Sequence, residues 1–146
     1  MMEQRISVLT IGADNLAAMK NFYGQTLGWK TVAENKDIAF YRFNGFLLSI
    51  CDRKMLAEFI GINADGTGFR SVTIGYNVQT EEEVLQLYDQ LKNKVTILKP
   101  PTAPPFGGLF FYFADIEGNI IEVACNSFVT LDKENNAIDH KPIDHL

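Results

Sequence analysis

The sequence has very few histidines and cysteines. The only histidines, His140 and His145, lie in a polar C-terminal stretch that we interpret as a solvated tail. Cys51 and Cys125 form no motif, and we expect them to be reduced thiols with a packing role in a cytoplasmic protein. Because no histidine precedes residue 140, the chain offers few of the ligands that zinc, nickel or iron prefer.

Long apolar runs and an excess of positive charge are also missing. No run approaches the ~20 residues that span a bilayer, and the N-terminal residues do not resemble a signal peptide. A formal net charge of −5 argues against a nucleic-acid partner and against electrostatic attachment to an anionic membrane. The 146 residues suffice for one well-cored domain, or for two small repeats that share a core.

The chain contains an internal repeat. Residues 7–12 (Ser-Val-Leu-Thr-Ile-Gly) are echoed by residues 71–75 (Ser-Val-Thr-Ile-Gly), and both segments are followed by a predicted helix. Each half reads as strand, helix and three further strands. The predicted strands are 6–11, 29–33, 38–43 and 46–51 in the first half, and 71–78, 95–98, 110–113 and 119–125 in the second.

Local signals place the helices and turns. Asp14-Asn15 offers an N-cap to a first helix that Gly28 ends, and Thr80 to Glu83 reads as a capping box for a second. Asn44-Gly45 predicts a hairpin turn, and residues 115–118 predict another. With one helix per half, each sheet has a second face to bury, which favours two sheets around a shared cleft. The alternative is a chance similarity between two ordinary βα pairs.

Several strings resemble the vicinal oxygen chelate superfamily of glyoxalases, bleomycin resistance proteins and dioxygenases. Residues 12–16 (Gly-Ala-Asp-Asn-Leu), followed by 21–23 (Asn-Phe-Tyr) and 27–29 (Leu-Gly-Trp), are similar to its first strand–helix–strand signature. Residues 115–119 (Asp-Ile-Glu-Gly-Asn), leading to Glu122, are similar to its closing turn. The resemblance implies an α+β fold of two βαβββ modules with sheets curved around a shared cleft.

The same resemblance sets the expected organisation. We expect a single domain over 1–146, with modules at 5–52 and 70–126, a connector at 53–69 and a tail at 127–146. A short helix is predicted at the start of the connector. We also expect a homodimer, because paired modules of this type expose sheet edges. The cleft is then completed either within one chain or by module exchange between two.

Family enzymes typically hold a divalent metal with histidine or glutamate from four strands. The resemblance places Val8, Ser49, Thr73 and Glu122 at those positions. Valine cannot coordinate a metal, neutral hydroxyls are weak ligands, and only Glu122 is a good one. We therefore expect no metal in the cleft and no other cofactor.

Glu122 is the residue that demands an explanation, because its strand is otherwise uncharged. A carboxylate in apolar surroundings is costly unless it is hydrogen-bonded or paired. One interpretation is a catalytic general base, or an anchor for a cationic or hydroxylated ligand. The other is a structural carboxylate that is bonded to Thr10, Thr73 or a backbone amide.

Six further side chains are candidate ligand contacts. Three hydroxyl residues on the predicted cleft floor and three aromatic residues make up the set: Thr10, Ser49, Thr73, Tyr41, Phe106 and Tyr112. Phe106 belongs to the segment 99–108, which holds four of the five prolines and ends in a Gly pair that we interpret as flexible. That segment is either a lid at the cleft mouth or a rigid connection, and Tyr41 is either a pocket residue or core.

Two functions follow from the resemblance. The first is a glyoxalase-like protein that binds a small organic molecule in an apolar, aromatic cleft without the standard metal site, as in the bleomycin-resistance branch. The alternative is a metal-independent lyase or isomerase in which Glu122 is the general base. Loss of the metal removes several kcal/mol of enolate stabilisation, which favours binding over catalysis. The superfamily also includes dioxygenases and thiol transferases, so the fold alone does not decide.

Overall fold

The computed structural model describes residues 8–61, 63–68, 72–105 and 107–141. It divides into two compact units, Met1–Phe69 and Arg70–Leu146. None of the helices within the described ranges is long and apolar enough to cross a membrane.

Each unit has the order strand, helix, three strands. The first unit contains β1 Val8–Ala13, α1 Leu16–Asn21, β2 Thr31–Glu34, β3 Ile38–Arg42, β4 Leu47–Asp52 and α2 Arg53–Ile60. The second contains β5 Thr73–Asn77, α3 Glu81–Leu91, β6 Thr96–Thr102, β7 Leu109–Ala114, β8 Ile120–Cys125, β9 Val129–Leu131 and β10 Ala137–His140. The predicted α+β class, its two βαβββ units and the short helix of the connector are thus confirmed. Division into one domain with a tail stays a prediction.

The two four-stranded sheets have the same topology. Their strand orders are β1-β4-β3-β2 and β5-β8-β7-β6. In both sheets the first strand runs parallel to the fourth, while the remaining neighbours are antiparallel. The repeat seen in the sequence is therefore a repeat of structure.

In the first unit α1 packs against one face of its sheet. Asn15 caps the helix as predicted, because its side chain accepts a hydrogen bond from Ala18 N at 3.0 Å. Past Asn21 the helix widens into a π-helical turn, Phe22–Thr26, which the sequence did not predict. The side chain of Tyr23 is fully buried, and its ring lies 6.1 Å from that of Tyr41 on β3.

In the second unit α3 covers one face of β7 and β8. The predicted capping box is confirmed, since Thr80 and Glu83 exchange both backbone-to-side-chain hydrogen bonds. Val84 is fully buried, and the Tyr88 ring meets the Phe111 ring edge-on at 5.4 Å. The sheet residues that are buried on this face are Phe111, Phe113, Ile121 and Val123. Their neighbours along β7 and β8 point to the opposite face.

The turns follow their sequences with one correction. Gly45 has φ +85 and the predicted hairpin closes with Phe43 N bonded to Phe46 O at 2.9 Å. The Gly107-Gly108 pair was interpreted as flexible, but the second position requires glycine for steric reasons, whereas a Cβ at Gly107 would meet nothing within 4 Å. A Cβ at Gly108 would clash with the carbonyl oxygen of Cys125, and its φ of +89 disfavours any side chain.

Strand β6 is longer than predicted. It was expected to end at Leu98, yet it continues through Pro100 and Pro101 to Thr102. Proline has no N–H to donate. Because β6 is an edge strand, its prolines can be placed where the backbone faces the unpaired side and no donor is needed. Phe106, in the remainder of that segment, lies outside the described residues.

The C-terminal stretch that was expected to be a solvated tail forms secondary structure in the part that the structure describes, and the residues of β10 are exposed. Strands β9 and β10 pair as an antiparallel hairpin. His140 lies in this hairpin, exposed, with its ring stacked 6.2 Å from that of Phe128. His145 lies outside the described residues. Short strands without clear alternation give little sequence signal, which is why the hairpin was missed.

The two cysteines fit the packing role that was expected. Cys51 is buried, Cys125 is half-buried, and both are free thiols. Burial is the main reason that the pKa of each thiol is raised, with a further contribution from nearby carboxylates. Both therefore remain protonated at neutral pH.

One turn occurs twice in the second unit. Asp115 Oδ1 accepts hydrogen bonds from Glu117 N and Asn119 N, and its Oδ2 accepts one from Asn119 Nδ2. Asp132 makes the same three bonds, with Asn136 in the place of Asn119. The first copy joins β7 to β8 and is buried, with Asp115 only 3% exposed.

Replacing Asp115 by alanine tests how much the buried turn contributes. The change leaves buried donors of Asn119 without their acceptor, so Asp115→Ala should lower the free energy of unfolding by about 2–3 kcal/mol. The matched change Asp132→Ala removes the same bonds at a more exposed position, so it should lower the free energy of unfolding by clearly less. Urea unfolding of both variants measures this; equal losses would contradict a special role for the buried turn.

Candidate functional site

The candidate site lies on the face of the second sheet opposite α3. Four residues from its four strands form one row across the sheet: Gly75, Glu122, Tyr112 and Lys99, in the order β5, β8, β7, β6. The strand alternation that buries Ile121 and Val123 beneath α3 turns Glu122 the other way.

Tyr112 and Glu122 form a hydrogen-bonded pair at the centre of this row. Tyr112 Oη donates to Glu122 Oε1 at 2.7 Å, and both side chains are half-buried. The bond to the carboxylate, followed by burial and the charge of Glu122, raises the pKa of Tyr112 to about 12. At neutral pH the phenol is therefore protonated, and it donates a charge-assisted hydrogen bond.

Aromatic side chains and a lysine flank the pair. The Phe110 ring lies 5.5 Å from that of Tyr112, edge to face. Lys99 Nζ lies over the Phe110 ring, 5.0 Å from its centroid. This face of the sheet therefore has an aromatic surface on which a cation already rests.

On the other side of Glu122 the row is open. Its neighbour on β5 is Gly75, and a Cβ there would meet nothing closer than Asn77 Nδ2 at 3.8 Å. The position beside Glu122 thus has no side chain of its own, and an added Cβ would make only ordinary van der Waals contact with Asn77.

The first sheet carries a neutral pair of hydroxyls on the strands that correspond to β5 and β8. Thr10 Oγ1 and Ser49 Oγ lie 2.6 Å apart, on β1 and β4. Ser49 is only 1% exposed, so the hydroxyl of Thr10 satisfies a group that would otherwise be buried without a partner. The pair stabilises the sheet and carries no charge.

The structure sorts the predicted site residues into groups. It joins Glu122 to Tyr112, and Thr10 to Ser49. Thr73 is exposed and lies on the same face as Glu122, two positions before Gly75 on β5. Within the second unit Tyr112 is the side chain that bonds Glu122, a partner that the structural interpretation, with Thr10, Thr73 or a backbone amide, did not include.

Tyr41 does not join the hydroxyl pair of its own sheet. It lies on the face packed against α1, where its ring contacts that of Tyr23, whereas Ser49 lies on the opposite face. Phe106 lies outside the described residues. A ligand-binding role for Thr10, Ser49, Thr73, Tyr41 and Phe106 stays a prediction.

Three residues of the site were missed by sequence reasoning. Phe110 could have been found, because it is two residues from Tyr112 and so shares its face. Gly75 could have been found from the repeat, as the glycine that ends both similar segments. Lys99 gives no such signal, because irregular pairing on both sides of it sets its place in β6.

Comparison with known proteins identifies the family. The model of the glyoxalase/bleomycin resistance protein/dioxygenase superfamily matches residues 5–123, which is well over half of the chain. The chain belongs to this superfamily, as its sequence resemblance implied. A search of curated proteins finds no match.

Solved structures agree with this assignment. A glyoxalase-related enzyme from Fulvimarina pelagi is 34% identical with a TM-score of 0.84, over 94% of this chain and 99% of its own. A glyoxalase/bleomycin resistance protein/dioxygenase from Nocardioides is 21% identical with a TM-score of 0.76, over 86% of this chain and 85% of its own. A lactoylglutathione lyase from Agrobacterium tumefaciens is 18% identical with a TM-score of 0.68, over 85% of this chain and 95% of its own. The last two show likeness of fold.

The side chains at the family's metal positions do not fit a divalent metal. Val8 has no donor atom, Ser49 is bonded to Thr10, and Glu122 is bonded to Tyr112. Within the part of the chain that the structure describes, no group of three His, Cys, Asp or Glu side chains could hold a metal ion. The donor set thus departs from the family pattern, and we derive no step through a metal.

Titration of Tyr112 tests the central pair. In Glu122→Gln the phenol loses its charged acceptor, so the pKa of Tyr112 should fall from about 12 toward its ordinary value of 10.0. Because the raised pKa belongs to the folded state, the pair stabilises the protein below pH 10 and loses that contribution as the pH rises toward 12.

The measurement is the near-ultraviolet absorbance of tyrosinate, with Tyr112→Phe as the blank that assigns the transition. Glu82→Gln, an exposed change of the same charge on α3, is the control and should leave the transition in place. A Tyr112 transition that is identical in wild type and Glu122→Gln would contradict the hydrogen bond.

Proposed function

We propose that this protein binds a small organic molecule with a cationic or hydroxyl group on the face of its second sheet opposite α3. Glu122 is the anchor, and Phe110 and Tyr112 supply the aromatic surface. The observation that carries the proposal is the 2.7 Å bond between Tyr112 and Glu122, which holds a carboxylate in place on an otherwise apolar strand.

The pair suits an anchor because it leaves the carboxylate with acceptor capacity. Tyr112 engages Oε1, and Oε2 makes no hydrogen bond to any described residue. A ligand N–H or O–H can donate to that oxygen, while the fixed phenol keeps the carboxylate oriented. Gly75 leaves space for such a group, and the exposed hydroxyl of Thr73 lies on the same face.

The charge of the ligand follows from the neighbours. Lys99 already places an ammonium over Phe110, which shows that this ring can hold a cation. A cationic or hydroxylated ligand can engage Glu122 directly, and a cation can also compete with Lys99 for the ring. An anionic ligand would be repelled by Glu122.

A second candidate function is proton transfer by Glu122, as in a lyase or isomerase. It is favoured by the 34% identical relative, which is described as a glyoxalase-related enzyme. Against it stands the hydrogen bond from Tyr112, because a base that takes a proton weakens the bond that orients it. The described residues also include no set of metal ligands, so they offer no site for a metal ion that could stabilise an enolate.

Benzylamine is a suitable probe, with benzyl alcohol as its hydroxylated counterpart and benzoate as the anion of the same ring. Benzylamine and benzyl alcohol should both shift the backbone amide signals of β7 and β8 in a titration followed by nuclear magnetic resonance, whereas benzoate should not. In Glu122→Gln the affinity for benzylamine should fall by about tenfold or more, because a charge-assisted bond is lost.

Two variants sharpen this test. Glu82→Gln changes the same charge on α3 and should bind benzylamine as wild type does. Gly75→Val fills the space beside Glu122 on an edge strand that tolerates a β-branched residue, so it should abolish binding while the protein stays folded. Unchanged affinity in both Glu122→Gln and Gly75→Val would reject the site, and loss of turnover without loss of affinity in Glu122→Gln would favour the enzyme.

A further inference from the structure

The first unit contains a pocket of about 540 Å³, a size typical of small-molecule sites. It is lined by residues of α1, of the π-helical turn, of β2 and of β3. The pocket belongs to the first unit alone, and its ligand is independent of the one proposed for Glu122 in the second unit.

Tyr41 lines this pocket, and its hydroxyl is buried. The residue is 1% exposed, and its Oη has no hydrogen-bond partner among the described residues. Its ring is fixed by Tyr23 and Trp29, at centroid distances of 6.1 Å and 6.4 Å. A buried hydroxyl without a partner is disfavoured, so a group that supplies one gains affinity.

The backbone that forms the pocket wall is unusual. Residues Phe22–Thr26 form a π-helical turn, and Gly24 and Gln25 of that turn line the pocket. Such turns are rare and occur frequently at functional sites. The turn therefore supports a binding role for the pocket independently of the Tyr41 hydroxyl.

The pocket lining carries charges of both signs. Lys20 and Glu34, both part-exposed, form an ion pair, and Lys30 is a second lysine of the lining. Burial first, and the charge of Glu34 second, raise the pKa of Tyr41, so its hydroxyl is a hydrogen-bond donor at neutral pH. Glu34 opposes a ligand carboxylate near that hydroxyl, while Lys20 opposes an ammonium.

We propose that this pocket binds a small, neutral aromatic molecule with an amide or similar group, which accepts a hydrogen bond from Tyr41 Oη and donates one to Glu34. The half-buried indole of Trp29 provides the surface for the aromatic ring. A primary aromatic amide meets all three requirements, because it carries an acceptor, a donor and a flat ring.

Benzamide is the probe, and fluorescence of Trp29, the single tryptophan of the chain, reports its binding. We expect a saturable change of emission with benzamide, and none with benzoate or benzylamine at the same concentrations. Absence of a saturable change, or an equal response to either charged analogue, would overturn the proposal.

Tyr41→Phe is the main variant. It should weaken benzamide binding by about tenfold, because one hydrogen bond to the ligand is lost. Its melting temperature should equal or exceed that of wild type, because an unpartnered buried hydroxyl is removed; a lower one would contradict the unpartnered state. Tyr76→Phe removes the hydroxyl of an exposed tyrosine and should bind as wild type does. Equal affinity in Tyr41→Phe and Tyr76→Phe would overturn the proposal.

Glu34→Gln provides a test at a position where folding is not at risk, since all four residues of β2 are exposed. Without the carboxylate the lining is more positive, so benzoate should now bind and the preference for benzamide should shrink. An unchanged preference would show that Glu34 does not set the charge of the ligand, and would overturn that part of the proposal.

Discussion

In both sheets a helix covers one face, and this constraint sorts every strand residue into one of two environments. Side chains beneath α1 or α3 are apolar and buried, as Leu48 and Phe111 are. The alternate side chains face the other way and include the polar ones. There the two units differ, because one carries the neutral Thr10–Ser49 pair and the other the charged Tyr112–Glu122 pair. The same architecture thus holds a neutral hydroxyl pair in one unit and a candidate site with a carboxylate in the other.

Much of the fold could be predicted because its signals are local. Caps, hairpin turns and strand alternation depend on neighbouring residues, and the internal repeat allowed the two units to be recognised. The π-helical turn after Asn21 and the β9–β10 hairpin were missed, because neither has a strong local pattern. The face on which Tyr41 lies could not be predicted from the sequence, since the residues before it, Ile38 to Phe40, are apolar on both faces of β3.

The candidate site was predictable in part for the same reason. Glu122 stands out as the single charge of its strand, so the sequence identifies it directly. Its partner depends on register across two strands, which the tight turn at 115–118 fixes by pairing Ala114 with Ile120 and therefore Tyr112 with Glu122. The contribution of Lys99 depends on irregular pairing in β6, and no sequence rule places it.

The central claim is that Tyr112 acts through the carboxylate of Glu122 to hold a ligand anchor. A double-mutant cycle on benzylamine affinity, with Tyr112→Phe, Glu122→Gln and both together, measures this coupling directly. The account predicts that the double variant binds about as weakly as Glu122→Gln alone, because Tyr112 has nothing left to orient. Losses of affinity that simply add, or no loss in either single variant, would contradict it.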